Sequence, residues 1–314
     1  MTIKLARLTV PNRLAPGYGL RAGLGAVLMA AAGVASSQAA GVAAPASSGD
    51  QVKLAPHRAV YDMRLDNARS GSGVTDLSGR MVFEITGSAC EGYTQNMRFV
   101  METVNRDGTS STTDMRSSSW EEGLGAKYRF NTSSYRDQEL TEATTGNAAR
   151  PNKGGSEKSA GEVKVELTKP KPGEVKIPGA VLFPVQHSKL LIDAAAAGKT
   201  AVEADLYDGS EKGEKVYATT AVIGKAFKPD TKVSIEALKN AERLDGMLSW
   251  PVAISYFEKG REKEDALPVY EIAFRYFTNG VSQNLLIDYG DFSIKGALKE
   301  IEFYDQPKCD AEKK

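Results

Sequence analysis

Alternation with a period of two residues runs through most of this chain and limits its fold more than any other feature. Ala59-Val60-Tyr61-Asp62-Met63-Arg64-Leu65-Asp66 alternates apolar and polar side chains over much of its length, and residues 80–85 and 96–104 do similarly. That period, rich in aromatic and β-branched residues, belongs to strands with one wet face. Asp107-Gly108 and Thr278-Asn279-Gly280 fall between such runs and mark hairpin turns, because Gly accepts positive φ. Residues 109–119 are mostly Ser and Thr and end at Trp120, which reads as an exposed strand. Further strands are expected over 162–168, 202–207, 215–223, 252–257, 269–277, 282–288 and 292–303. Residues 144–161 lack apolar periodicity and are expected to form a flexible loop.

One helix interrupts the strands. Pro184 suits a first helical turn and Gly198 a position just past the end, which predicts a helix over 184–197 with Leu190, Leu191 and Ala194 as its apolar stripe. A weaker helix is expected over 235–243. The chain is therefore mainly β, antiparallel, with one main helix, and so long a meander must close, curl or cover its edges.

The N-terminus has a different character. Residues 1–39 carry Lys4, Arg7, Arg13 and Arg21 and no acid, then a short apolar stretch from Gly23 to Ala35 and a small-residue step at Ser37-Gln38-Ala39. This is the layout of a secretory signal peptide, with an uncleaved anchor as the alternative. The apolar stretch is shorter than the roughly 20 residues a membrane span needs. Residues 40–53 are then a tether rich in Ala, Pro, Ser and Gly, 54–309 a single domain, and 310–314 a tail.

The full chain balances 40 Lys and Arg against 40 Asp and Glu, and four of the positive charges lie in 1–39. The exported part is thus slightly acidic, without the basic excess that a nucleic-acid partner requires. Its two cysteines, Cys90 and Cys309, would meet an oxidising compartment, where a disulfide persists. A redox pair is the lesser reading, because there is no Cys-x-x-Cys.

Reactive groups are sparse. His57 and His187 have no His, Cys or acid cluster at metal-ligand spacing, so each reads as a packed or hydrogen-bonded histidine and no metal is expected. There is no Gly-x-Ser-x-Gly elbow. Gly198-Lys199-Thr200 imitates the end of a phosphate loop, but Asp193 stands where the first Gly belongs and the triplet follows a helix instead of opening one. Asp208-Gly209 and Asp288-Tyr289-Gly290-Asp291 read as turns, not as calcium or glycosidase carboxylates. No cofactor is expected and no catalytic residue is assigned. The aromatics of the C-terminal third either fill the core or line a groove for an acyl chain or peptide, with Leu190, Leu191, Trp250 and Phe274 as its candidate walls.

Seven strings occur together in order: Pro56-His57-Arg58-Ala59-Val60-Tyr61-Asp62, Gly79-Arg80-Met81-Val82, Cys90-Glu91-Gly92-Tyr93, Leu206-Tyr207-Asp208-Gly209-Ser210, Trp250-Pro251-Val252, Ala266-Leu267-Pro268-Val269-Tyr270 and Asp288-Tyr289-Gly290-Asp291-Phe292. With them the chain resembles the EipB family of Gram-negative envelope-integrity proteins, over about residues 54–309. The resemblance implies a periplasmic protein with an open, spiral-like β-barrel similar to the periplasmic lipoprotein carriers. It implies a disulfide between the family cysteines, which match Cys90 and Cys309, and a link to a periplasmic tetratricopeptide-repeat protein. No enzymatic activity is established for the family. The expectation is a non-catalytic periplasmic module that binds a protein partner or an amphiphile such as a lipid; an enzyme acting on envelope lipid or polymer is the alternative.

Export makes the first testable outcome. Intact-mass measurement of the protein from a native envelope fraction should give a species starting near Ala40; a species that still begins before Gly23 would overturn the signal-peptide reading.

Overall fold

The computed structural model describes residues 52–150, 162–228, 241–260, 267–307 and 309. The expected signal peptide, most of the tether, the tail and residues 235–240 of the weaker helix lie outside that set.

Eight strands come first: β1 (His57–Ala68), β2 (Val74–Ser88), β3 (Gly92–Asn105), β4 (Ser110–Glu121), β5 (Lys127–Arg136), β6 (Glu139–Ala149), β7 (Val163–Lys169) and β8 (Gly173–Ile177). The two-residue β9 (Val181–Leu182) leads into helix α1 (Pro184–Ala196). Six strands follow: β10 (Ala201–Leu206), β11 (Tyr217–Ile223), β12 (Ser249–Glu258), β13 (Tyr270–Phe277), β14 (Ser282–Asp288) and β15 (Phe292–Phe303).

All fifteen described strands belong to one sheet, in the order β8-β7-β6-β5-β4-β3-β2-β1-β15-β14-β13-β12-β11-β10-β9. The order is that of two meanders joined where the first strand meets the last. His57 lies opposite Phe303 and Ala68 opposite Phe292, and every neighbouring pair is antiparallel except the short β9–β10 contact. Right-handed twist accumulates across so many strands and curls the sheet. The curl nearly closes where the segment after β10 reaches β5 and β6: the Tyr128 hydroxyl donates to the Asp208 carbonyl at 3.0 Å, and the Lys212 N–H donates to Glu142 at 3.3 Å. The fold is therefore an open antiparallel β-barrel with one helix.

Odd-numbered positions of β2, β3 and β4 face inward, which buries Met81, Phe83, Phe99, Met101 and Met115. Tyr128 stacks on Phe183 with ring centroids 5.0 Å apart, and Phe130 meets Tyr207 edge-on at 5.8 Å. These rings join the core of the first meander to the return segment. On the other side Tyr256 stacks on Tyr270 at 4.4 Å and Phe274 meets Tyr276 at 5.1 Å.

Two sequence expectations need correction. Residues 144–149 are not loop; they complete β6, and only the remainder of 144–161 passes outside the described residues. Small side chains are what let this segment into the sheet. A Cβ on Gly146 would lie 2.7 Å from the Phe130 ring and 2.9 Å from the Glu166 carbonyl, while Thr144 and Ala148 are buried. Low hydrophobicity here reflects tight packing, not exposure. The described end of the weaker helix is a 3-10 turn over Ala241–Leu244. By contrast, the main helix ends where expected, with Gly198 at φ 73 after the last turn.

Cys90 and Cys309 are bonded, with Cα atoms 5.7 Å apart and 219 residues between them. The bond fastens the segment after β15 beside the β2–β3 turn. Beside it, the Tyr304 N–H donates to the Pro56 carbonyl and its hydroxyl to Glu84. A loop this long gives up to about 5 kcal/mol in the chain-entropy model. At roughly 2–4 °C per kcal/mol, Cys309→Ser should lower the melting temperature by about 5–15 °C. Unchanged melting, or two alkylatable thiols in the denatured non-reduced protein, would contradict the bond.

Candidate functional site

Helix α1 enters the barrel without a cap of its own. Its first residue is Pro184, the preceding Phe183 carries no side-chain acceptor, and the N–H groups of Val185 and Gln186 are therefore orphaned in the interior. Glu121, at the end of β4, meets both: one carboxylate oxygen accepts from Val185 at 2.7 Å and the other from Gln186 at 2.9 Å. A strand thus supplies the oxygen that Ser, Thr or Asp usually supplies from the N-cap.

Cations surround this carboxylate at one remove. Arg150 donates to the Gly125 carbonyl at 3.0 Å, to Val181 and to the Gln186 amide oxygen at 3.1 Å, with its guanidinium 4.5 Å from the Phe183 ring. Lys189 donates to the Gly123 carbonyl and lies 4.7 Å from the Tyr93 ring. Burial pushes the Glu121 carboxyl up to about 7, opposed by the two helix N–H groups, Lys189 and Arg150. Farther along, His187 is fully enclosed, its Nε2 3.1 Å from the Thr219 hydroxyl on β11. The helix therefore bridges the two meanders, β4 on one side and β11 on the other.

In front of α1, the inner face of β2–β5 leaves a partly open cavity of about 70 Å³. Phe83, Met97, Met115 and Tyr128 form its apolar wall. Ser117, Ser119, Thr132 and Ser134 occupy inward positions that elsewhere on these strands carry large apolar groups. The space exists because these side chains are small. Pro184 of the helix and Asp208 and Ser210 of the return segment close one end, and Glu142 lies at the wall.

A second concavity, of about 400 Å³ and more open, lies on the outer face of the same strands. Its polar groups are largely bonded to one another: Asn96 to Glu84 at 3.2 Å, Ser118 to Asn96 at 2.7 Å, and Arg98 and Arg116 both to Asp114. Little is left there for a ligand to satisfy.

Of the residues proposed from sequence as a groove, Leu191, Trp250 and Phe274 are buried, at 0%, 4% and 4% exposure, and Leu190 is half-buried. None of the four lines either concavity. They pack the helix and the second meander, whereas the cavity lies against the first. The two histidines are structural. His57 donates from Nδ1 to the Ala55 carbonyl at 2.7 Å and sits between Phe83 and Phe303; burial lowers it to about 4 and His187 to about 3. No group of three or more metal-ligating side chains is found among the described residues. Glu121, Arg150 and the cavity wall were not singled out from sequence. The missing cap oxygen at Phe183 was the one sign that α1 needed a distant partner.

The fold and its interior define a class: an open antiparallel barrel, plugged by a helix, with a partly apolar pocket beside the plug. Comparison with known proteins gives the chain its family. The EipB-like family model matches residues 48–305, and the chain belongs to this family. It is 37% identical over 283 residues to the cell envelope integrity protein EipB of Brucella abortus (strain 2308), covering 90% of this chain and 96% of that one. The crystal structure of a beta-barrel-like protein of domain of unknown function DUF1849 from Brucella abortus matches with a TM-score of 0.72 at 37% identity, over 81% of this chain and all of the other.

Glu121 gives a two-part outcome. Glu121→Ala leaves two buried helix N–H groups without an acceptor and should cost about 2–5 kcal/mol in denaturant unfolding. Because the folded state holds the Glu121 proton more tightly than the unfolded state, its ionisation lowers stability as pH rises from 4.5 to about 7, with a plateau above. Glu121→Gln should remove that component of the pH dependence; an unchanged profile would refute it.

Proposed function

We propose that this chain is an exported, non-catalytic protein that supports the integrity of the cell envelope from the periplasm by holding an amphiphile in its barrel. The observation that carries the reading is the interior cavity, with Phe83, Met97 and Met115 for a hydrocarbon chain and a polar end at Asp208 and Ser210 for a headgroup. Ligand sites of this kind are mainly apolar with a few placed polar groups. The name of the Brucella relative supports the envelope assignment. Catalysis is not part of the proposal: each histidine is enclosed and bonded to an oxygen, away from the cavity.

A protein partner, such as the tetratricopeptide-repeat protein that the family resemblance implies, is a second reading. It is favoured by the end of the sheet at β8, which among the described residues pairs with β7 alone and so offers its outer edge for strand addition.

Titration with a fluorescently labelled octyl chain should show saturable binding. Ser117→Phe, which places a ring inside the cavity, should weaken binding by about tenfold or more, equivalent to ~1.4 kcal/mol, with little change in melting. No saturable binding to the folded protein would leave only the protein-partner reading.

A further inference from the structure

The polar end of the cavity is built around an oxygen that has no donor. β10 ends at Leu206 and the chain turns sharply through Asp208 and Gly209. Gly209 has φ 72, and a Cβ there would fall 2.4 Å from the Phe130 ring, so only glycine lets the turn press against β5. The Tyr207 hydroxyl donates to the Gly213 carbonyl at 2.9 Å, and the Tyr128 hydroxyl donates to the Asp208 carbonyl. These contacts fix Asp208 at the cavity wall with 7% of its surface exposed. One carboxylate oxygen, Oδ1, accepts from the Ser210 N–H at 3.0 Å. The other, Oδ2, is buried without a hydrogen-bond partner among the described residues. A buried carboxylate oxygen left unpaired is costly, and it makes a strong demand for a donor.

The charges nearby decide what kind of donor fits. Glu142 is a second carboxylate at the cavity wall. Arg116, the one cation that lines it, is engaged by Asp114, at 3.2 Å and 2.7 Å. Close by, Lys215 pairs with Glu211 and Glu258, and Lys259 pairs with Asp205. None of the ion pairs found among the described residues involves Asp208 or Glu142. A phosphate or carboxylate headgroup would meet repulsion. A neutral hydroxyl could donate but would leave the negative charge in place. An ammonium supplies donors and charge together, and it carries no acceptor that would clash with either carboxylate.

We propose that the cavity selects amphiphiles with a cationic amine headgroup, seating the ammonium against the Asp208 carboxylate with Glu142 beside it and the chain along Phe83, Met97 and Met115. This rests on the amphiphile reading above and adds the headgroup chemistry. Water exclusion at a site so buried strengthens the contact relative to the same pair at the surface.

Calorimetric titration of the chain purified from the periplasm at pH 7, with n-octylamine, n-octanol, n-octanoate and ethanolamine, separates the outcomes. Octylamine should bind about tenfold tighter than octanol or better, octanoate should be weakest, and ethanolamine, which lacks the chain, should give no saturable signal. Asp208→Asn should bring octylamine to the level of octanol and leave octanol unchanged. Equal binding of octylamine and octanol, or tightest binding of octanoate, would overturn the headgroup assignment while the amphiphile reading stood. Ethanolamine binding as tightly as octylamine would overturn it in favour of a small free amine. No binding by any probe would overturn both readings. Should Asp208→Asn fail to fold, the order of the four probes on the unaltered protein decides the matter, and Glu142→Gln should reduce the preference for octylamine over octanol.

Discussion

The carboxylate of Glu121 governs how this barrel is filled. A curled sheet of fifteen strands encloses more space than its inward side chains occupy, and α1 supplies the missing volume. A helix end placed in an interior exposes N–H groups that water cannot reach, and each unmet donor weakens the case for keeping the helix there. Glu121 meets two of them from the opposite wall. The bond is thus both a cap and a tether for the start of α1. Arg150 extends the same junction by tying the end of β6 to Val181 and Gln186, at the residues that lead into the helix.

Strand identity was legible wherever alternation was strong. Residues 59–66, 269–277 and 292–303 carry large apolar groups on one face, and each lies in a strand at nearly the expected bounds. The helix was legible because Pro184 and Gly198 mark its ends independently of any partner. What escaped was a property of small residues. In β6, Thr144, Gly146 and Ala148 occupy inward positions where the neighbouring rings leave no room, so a core-facing strand looks polar in sequence. The same effect hid the cavity. Residues 109–119 were expected to be a solvent-facing strand, and their outer positions are, but Ser117 and Ser119 face inward and leave space that a larger side chain would fill.

The aromatics of the second meander illustrate the opposite error. Trp250 and Phe274 stand out in sequence, and conspicuous rings invite a binding role. In the structure they are buried in the packing of the β12–β13 side, with Phe274 edge-on to Tyr276. The second meander carries large rings and meets α1 through the Thr219 hydroxyl, whereas the first meander meets the helix start through the Glu121 carboxylate, Arg150 and the Gly123 and Leu124 carbonyls. The pocket consequently forms between the helix start and β2–β5.

This asymmetry also explains why the return segment matters chemically. Between Leu206 and Gly213 the chain has no regular partner strand and must satisfy its backbone through side chains and turns: Tyr128 on the Asp208 carbonyl, Tyr207 on Gly213, Asp208 on Ser210. Each of these bonds uses one capacity of Asp208 or its neighbours and leaves Oδ2 over. A residue needed only for the turn would be served as well by Asn, whose side-chain oxygen makes the same bond to the Ser210 N–H and whose burial carries no charge. Asp208 instead leaves Oδ2 without a hydrogen-bond partner among the described residues, and that unpaired oxygen is what turns a structural corner into a candidate recognition point.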